Sequence, residues 1–100
     1  RLFMEELRES HGERIVALDV RGLSSVCDYF VISQGRSTRH VQGISERLRE
    51  RLGRHGILPR EVEGEQEGKW ILMDYGAIVV HLFYEPVRGF YDLEGLWHKA

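Results

Sequence analysis

The sequence has few features that would cross-link the chain or hold it in a membrane. Its single cysteine, Cys27, cannot form a disulfide within the chain and is expected to be a small buried hydrophobe. Such cysteine usage is typical of a reducing compartment, here the cytoplasm. No apolar run approaches the roughly 18 residues that span a bilayer. The net charge of −2 argues against a protein that binds mainly through phosphate contacts.

No recognisable set of catalytic or metal-binding residues stands out either. His40, His55 and His81 are scattered, and no pair of cysteines or histidines has the spacing of a metal site. Asp74 and His81 are the best candidates for a catalytic pair, but no nucleophile or third orienting group accompanies them. The sequence therefore predicts no catalytic residue, no metal and no cofactor.

What is present is the composition of one globular domain. The chain has 100 residues, of which 42% are hydrophobic and 30% charged. A chain of this size and composition can form a single hydrophobic core without disulfides or bound metals. We expect one domain over residues 1–100. Arg1 lies inside a helical pattern, so the N-terminal helix is expected to be truncated at this end.

The hydrophobic pattern predicts helices and strands in a definite order. A short helical stripe opens the chain, and the clearest element is a helix within residues 35–56, which Ser37 or Thr38 can cap. β-branched or alternating residues predict strands at 14–20, 29–33 and 60–64, and a hairpin over 70–84. Asp92 could cap a final short helix that ends near Trp97.

These elements predict an α/β fold of the mixed α+β kind. The strand–helix–strand passage from 29 to 63 favours one parallel crossover, whereas the later strands should form an antiparallel hairpin. The strand after Pro59 should lie near an edge. One mixed sheet of about five strands, with flanking helices, is the most economical architecture.

The hairpin has two different faces. If its turn is centred on Tyr75 and Gly76, Trp70 lies opposite His81. Side chains alternate along a strand, so the first face is wholly apolar and must be core: Ile71, Met73, Ile78, Val80 and Leu82. The second face consists of Trp70, Leu72, Asp74, Val79, His81 and Phe83.

Three interpretations of the second face remain open. It could be a helix-covered core whose polar groups are satisfied internally. It could bind a partner, because aromatic anchors beside aliphatic and a few polar groups are typical of an interface. It could also be a catalytic site built on Asp74 and His81, although the supporting residues are missing. The sequence favours the partner-binding interpretation.

Residues 33–40 raise the separate possibility of an anion site. A strand end, a glycine and a capped helix start follow one another there, and this geometry can hold an anion. The candidate residues are Gly35, Arg36, Ser37 and Arg39. An ordinary turn followed by a helix cap explains the same residues.

The residues described so far resemble those of the ribosomal silencing factor family, also called the Iojap-related family. The markers occur in the family's order: CDYFVI, GRSTRH at the helix start, a tryptophan four residues before DYG, then VVH and FYDLEGLW. The resemblance runs from about residue 13 to residue 97, nearly the whole chain.

The resemblance implies a fold and a function. The family fold is similar to that of nucleotidyltransferases but lacks their catalytic acids, and members tend to form homodimers. Members bind the large ribosomal subunit through large-subunit ribosomal protein fourteen, which hinders joining of the small subunit and represses translation. Organellar relatives act in large-subunit assembly. A large-subunit assembly factor, or a nucleotidyltransferase-like nucleotide-binding protein, is therefore the alternative to a translational repressor.

Carried onto this sequence, the resemblance implies a binding surface centred on Trp70. The expected partner-binding residues are Trp70, Leu72, Asp74, Tyr75, His81, Tyr84 and Asp92. Direct binding of RNA is a further alternative, because four arginines lie on the long predicted helix. Glu46 and Glu50 are interleaved with them and weaken the positive field.

Overall fold

The computed structural model describes residues 2–91. Up to the end of the hairpin, its elements follow the predicted order, helix, two strands, helix and three strands. They are α1 (Leu2–Glu9), β1 (Glu13–Asp19), β2 (Tyr29–Gly35), α2 (Thr38–Gly53), β3 (Glu61–Glu63), β4 (Trp70–Asp74), β5 (Ile78–Tyr84) and α3 (Glu85–Tyr91).

The five strands form one mixed sheet in the order β1-β2-β5-β4-β3. Among neighbouring strands, the β2–β5 pair is parallel and the other three pairs are antiparallel. The prediction of a parallel crossover over residues 29–63 is confirmed in direction, because β3 is antiparallel to β4 and β4 is antiparallel to β5, so β3 runs parallel to β2 although β5 and β4 lie between them. β3 has only three residues, two of them glutamates, so it suits an edge, as predicted, while the apolar β5 takes the central place beside β2.

Helices α1 and α2 cover the first face of the sheet. Helix α2 begins after Ser37, whose Oγ accepts the N–H of His40 at 2.9 Å, as the sequence predicted for the cap. Its buried residues recur every three or four positions and pack on the strands: Val41, Ile44, Ser45, Leu48 and Leu52. The apolar first face predicted for the hairpin is confirmed, since Ile71, Met73, Val80 and Leu82 are fully buried in this core.

The two covering helices are tied to each other by a charged cluster. The Glu6 carboxylate of α1 pairs with Arg51 of α2, and its second oxygen lies 3.0 Å from His55 Nε2. The hydrogen bond from Arg51 is the largest cause that lowers the pKa of Glu6, and the hydrogen bond from His55 is the next largest. The cluster orients α1 over the sheet.

The hairpin register differs from the predicted one. Trp70 pairs with Phe83, Leu72 with His81 and Asp74 with Val79, a shift of two residues. The loop is longer than predicted because Asp74 Oδ1 accepts the N–H of Gly76 at 2.8 Å and Tyr75 N–H donates to the Ile78 carbonyl. A shift of two keeps every side chain on its predicted face, because side chains alternate with a period of two.

The sequence did not predict the last helix that the structure describes. Helix α3 follows β5 directly, with Glu85 and Pro86 in its first turn, where a missing backbone N–H is tolerated. The prediction that Asp92 caps a helix ending near Trp97 lies outside the described residues.

Candidate protein-interaction surface

The second face of the sheet consists of a buried layer with partly exposed side chains beside it. Val79, His81 and Phe83 of β5 are buried, together with Ile32 of β2. The three residues that β4 contributes, Trp70, Leu72 and Asp74, are only partly buried. This side of β4 is therefore where the face reaches the surface.

Among the described residues, His81 and Phe83 hold Trp70 in one orientation. Its indole Nε1–H donates to Nδ1 of His81 at 3.0 Å. Its ring packs against Phe83, with a centroid separation of 5.0 Å and an angle of 32° between the ring planes. The result is a large aromatic side chain that is partly exposed and yet fixed by a hydrogen bond.

His81 is buried and neutral. It is only 4% exposed, and burial lowers its pKa to about 4. Because Nδ1 accepts the indole proton of Trp70, the ring proton must lie on Nε2, which finds no acceptor among the described residues. Asp74 has its own local role, since its carboxylate accepts a backbone N–H within the hairpin loop.

The buried imidazole should make folding depend on pH. Its pKa is about 4 in the folded chain and about 6.5 when unfolded, so the unfolded state binds more protons in between. The stability that the neutral His81 imidazole contributes is present above its pKa in the unfolded chain, about 6.5, and is lost as the pH falls below that value. We expect about 2 kcal/mol of the free energy of unfolding to be lost between about pH 7 and pH 5.

Denaturant titrations of the wild type and of His81→Asn at the two pH values measure this loss. The difference between the proteins removes the contributions of the other histidines. An equal pH dependence of the two proteins would mean that His81 does not carry it.

Two shallow grooves flank Leu72 on this face. One, of about 260 Å³, is lined by Glu63, Gly64, Trp70 and Leu72. The other, also of about 260 Å³, lies between the hairpin and the segment before β2, where Val26 is 83% exposed. Cys27 lines this groove, and burial raises the pKa of its thiol, in agreement with the predicted inert buried cysteine.

The edge of the second face beside β3 is acidic. Val62 packs against the core of the first face, so its neighbours Glu61 and Glu63 lie on the second-face side. The two carboxyls are close enough that a hydrogen bond with Glu63 raises the pKa of Glu61, with smaller contributions from the charge of Glu63, burial and Asp74. Glu61 is also the strand partner of Asp74. Three acids therefore lie beside Leu72 and Trp70.

The structure brings together four of the seven predicted partner-binding residues. Trp70, Leu72, Asp74 and His81 lie on the second face. Tyr75 and Tyr84 instead pack against the core of the first face.

The Tyr75 ring is the clearer of these two cases. It meets that of Phe3 edge-on at 5.1 Å, and burial raises the pKa of Tyr75 to about 12. Asp92, the seventh predicted residue, lies outside the described residues.

Sequence reasoning missed several residues of this surface. Phe30 contacts His81 edge-on at 4.7 Å, and the Glu61–Glu63 pair forms the acidic edge. Alternation along β2 places Phe30 on the same side as Ile32, so a second-face position could have been read once β2 was paired with β5. The position of β3 beside β4 could not be read without the sheet order.

Three of the four residues of the predicted anion site have contacts within the chain that explain them structurally. Ser37 caps α2, and the backbone N–H of Arg36 donates to His40 Nδ1 at 2.9 Å. The Arg36 guanidinium lies 3.0 Å from a Glu13 carboxylate oxygen. Gly35 is packed so closely that a Cβ there would lie 3.0 Å from His40 and Val41 atoms. Arg39 is exposed.

The four arginines that suggested RNA binding lie on α2 or directly after it, and all four have partners. Arg47 donates to the Ser10 carbonyl, Arg49 pairs with Glu65, Arg51 with Glu6, and Arg54 with Glu50. Each positive charge but that of Arg47 is thus matched by a nearby carboxylate. This helix presents a mixed-charge surface rather than a positive one.

Metal and membrane features can be described for residues 2–91. In that part of the chain, no group of three or more His, Cys, Asp or Glu side chains could hold a metal ion. None of the described helices is long and apolar enough to cross a membrane.

Comparison with known proteins settles the family. The family model described as "Ribosomal silencing factor during starvation" matches residues 1–100. The chain belongs to the ribosomal silencing factor family. The protein named ribosomal silencing factor RsfS from Bacillus subtilis is 40% identical over 92 residues, which cover 92% of this chain and 78% of that protein. The resemblance stated from the motifs is thereby confirmed.

A solved structure and an organellar relative extend the comparison. A crystal structure of a protein from Chromobacterium violaceum has a TM-score of 0.92 and 33% identity, covering 97% of this chain and 81% of that one. The mixed five-stranded fold predicted from the sequence is confirmed. A mouse protein named "Mitochondrial assembly of ribosomal large subunit protein 1" is 31% identical over 94 residues, covering 91% of this chain and 41% of that protein.

Proposed function

We propose that this ribosomal silencing factor represses translation by binding the large ribosomal subunit, through large-subunit ribosomal protein fourteen, and blocking the small subunit. The second face makes the contact, and Trp70 is its anchor. The observation that carries the proposal is a partly exposed indole, fixed by His81, beside an acidic edge. Steric blocking needs no chemistry, so the proposed function requires no catalytic residue, metal or cofactor.

The charge distribution favours a basic protein over RNA as the direct contact. Glu61, Glu63 and Asp74 repel phosphates but attract lysine and arginine side chains. Arg47, Arg49 and Arg51 of α2, with Arg54 just after it, lie on the opposite side of the sheet and already have partners. A ribosomal protein surface is basic, so encounter through the acidic edge is favourable.

We further propose a cytoplasmic location and a homodimeric free state.

Sedimentation of purified ribosomal subunits tests the proposal. At a magnesium concentration that allows joining, excess protein should sediment with the large subunit and reduce the joined fraction. Because few phosphates are contacted, affinity should fall much less steeply with salt than for an RNA-binding protein. Binding to neither subunit, with joining unchanged, would contradict the proposal. A steep salt dependence would favour the RNA-binding alternative instead.

A role in large-subunit assembly is the second candidate. It is favoured by the name of the mouse relative, which describes assembly of the mitochondrial large subunit. The same surface would then bind an immature subunit. Cells depleted of the protein should accumulate large-subunit precursors under this function, whereas a pure repressor should leave subunit maturation unchanged.

A further inference from the structure

We propose that His81 is a positioning residue for the interaction surface, and that its Nδ1 atom fixes the indole of Trp70 in the orientation that binds the partner. The inference rests on the proposed function for the identity of the partner. The hydrogen bond itself does not depend on that function. His81 acts through Trp70 and needs no contact with the ribosome.

The rings packed around His81 hold its Nδ1 atom in place. Its ring meets that of Phe30 edge-on at 4.7 Å and lies nearly parallel to that of Phe83, with centroids 6.3 Å apart and planes 10° apart. Packed interiors leave little freedom for a ring enclosed in this way. The acceptor is therefore held by the core, whereas its donor lies on a side chain that reaches the surface.

Packing alone does not explain a histidine at this position. Its Nε2–H is buried without an acceptor among the described residues, which is unfavourable. A leucine or phenylalanine would fill the same space without this cost. What histidine adds is an acceptor at Nδ1, and the group that uses it is the Trp70 indole.

A fixed indole should strengthen binding because less motion is lost when the partner arrives. Ordering a mobile side chain at an interface opposes association, and an anchor that is already ordered avoids this. The bond to His81 also satisfies the indole N–H before binding. The partner then meets an aromatic surface whose polar atom is already paired.

Two substitutions of nearly equal shape separate the acceptor from packing. His81→Asn can place its Oδ1 near the position of Nδ1, whereas His81→Leu offers no acceptor. The first readout is the Trp70 indole N–H signal in a ¹H–¹⁵N spectrum, assigned with Trp70→Phe, together with its exchange with water. The second is the affinity for purified large subunits.

We expect His81→Leu to shift the indole signal, speed its exchange and weaken subunit binding about 10-fold. His81→Asn should keep the protected indole signal and stay within about 3-fold of the wild type. In a Trp70→Phe background, which has no indole N–H, the two substitutions should bind equally well. If His81 served packing alone, the difference in affinity between His81→Asn and His81→Leu would persist in the Trp70→Phe background.

Equal indole signals and equal affinities for His81→Asn and His81→Leu would overturn the inference. If His81→Leu does not fold, His81→Gln takes its place, because the longer side chain carries its amide to the Nε2 position. A wild-type protein that fails to bind the large subunit refutes the proposed function, and with it the role of His81 in binding. An indole signal that still differs between the variants would then confirm only the hydrogen bond.

Discussion

Trp70→Ala should weaken binding to the large ribosomal subunit by about 30-fold or more, which corresponds to about 2 kcal/mol. The substitution removes the largest partly exposed side chain of the second face and leaves His81 without its hydrogen-bond donor. Aromatic anchors of this kind contribute far more to binding than the residues around them. Co-sedimentation with large subunits over a range of protein concentrations measures the loss.

Ile71→Val is the matched control for this substitution. Ile71 is the next residue of β4, is fully buried, and lies on the first face, away from the proposed interface. Its truncation should lower the free energy of unfolding by about 1 kcal/mol and leave ribosome affinity unchanged. Unchanged affinity in a folded Trp70→Ala protein would contradict the role of Trp70. A loss of affinity in Ile71→Val would show that binding responds to general destabilisation.

The second face illustrates how far local pattern can lead. Alternation assigned Trp70, Leu72, Asp74 and His81 to one side of the hairpin, and that assignment is confirmed although the predicted register was wrong. The register depended on the Asp74 hydrogen bond in the loop, which lengthens the turn and leaves no mark in the hydrophobic pattern. An even shift preserved the faces.

The sheet order and the acidic edge could not be obtained in the same way. Residues 60–64 carry a clear strand pattern, but the pattern does not say which strand they pair with. Pairing of β3 with β4 brings Glu61 beside Asp74, and pairing of β5 with β2 brings Phe30 beside His81. These contacts join residues far apart in sequence, so they depend on topology rather than on local preference.

The family motif alone did not show on which face of the sheet Tyr75 and Tyr84 lie. Tyr75 directly follows β4 and Tyr84 ends β5, two strands that carry second-face residues, yet both side chains pack on the first-face core. In β5 the alternation already separates Tyr84 from His81, because Tyr84 lies three positions after His81 and an odd spacing along a strand places the two side chains on opposite faces. For Tyr75 the loop geometry decides, and the sequence contained no signal for it.

Gly64→Ala should lower the free energy of unfolding by about 4 kcal/mol, a large effect for one methyl group. Gly64 has a φ of +82°, a left-handed conformation that costs other residues about 1–2 kcal/mol. In addition, a Cβ at this position would lie 2.1 Å from the carbonyl oxygen of Trp70, so the backbone of β4 must move. Chemical denaturation of the purified variant measures the loss.

Gly56→Ala separates the two causes. Gly56 has a similar φ of +77°, but nothing lies within 4 Å of a Cβ built there. Its substitution should therefore cost only about 1–2 kcal/mol, the backbone term alone. The excess in Gly64→Ala then measures the close approach to the Trp70 backbone, and equal losses in the two variants would contradict that contact. Because the backbone that must move carries Trp70, Gly64→Ala should also weaken ribosome binding under conditions where both variants are folded, whereas Gly56→Ala should not.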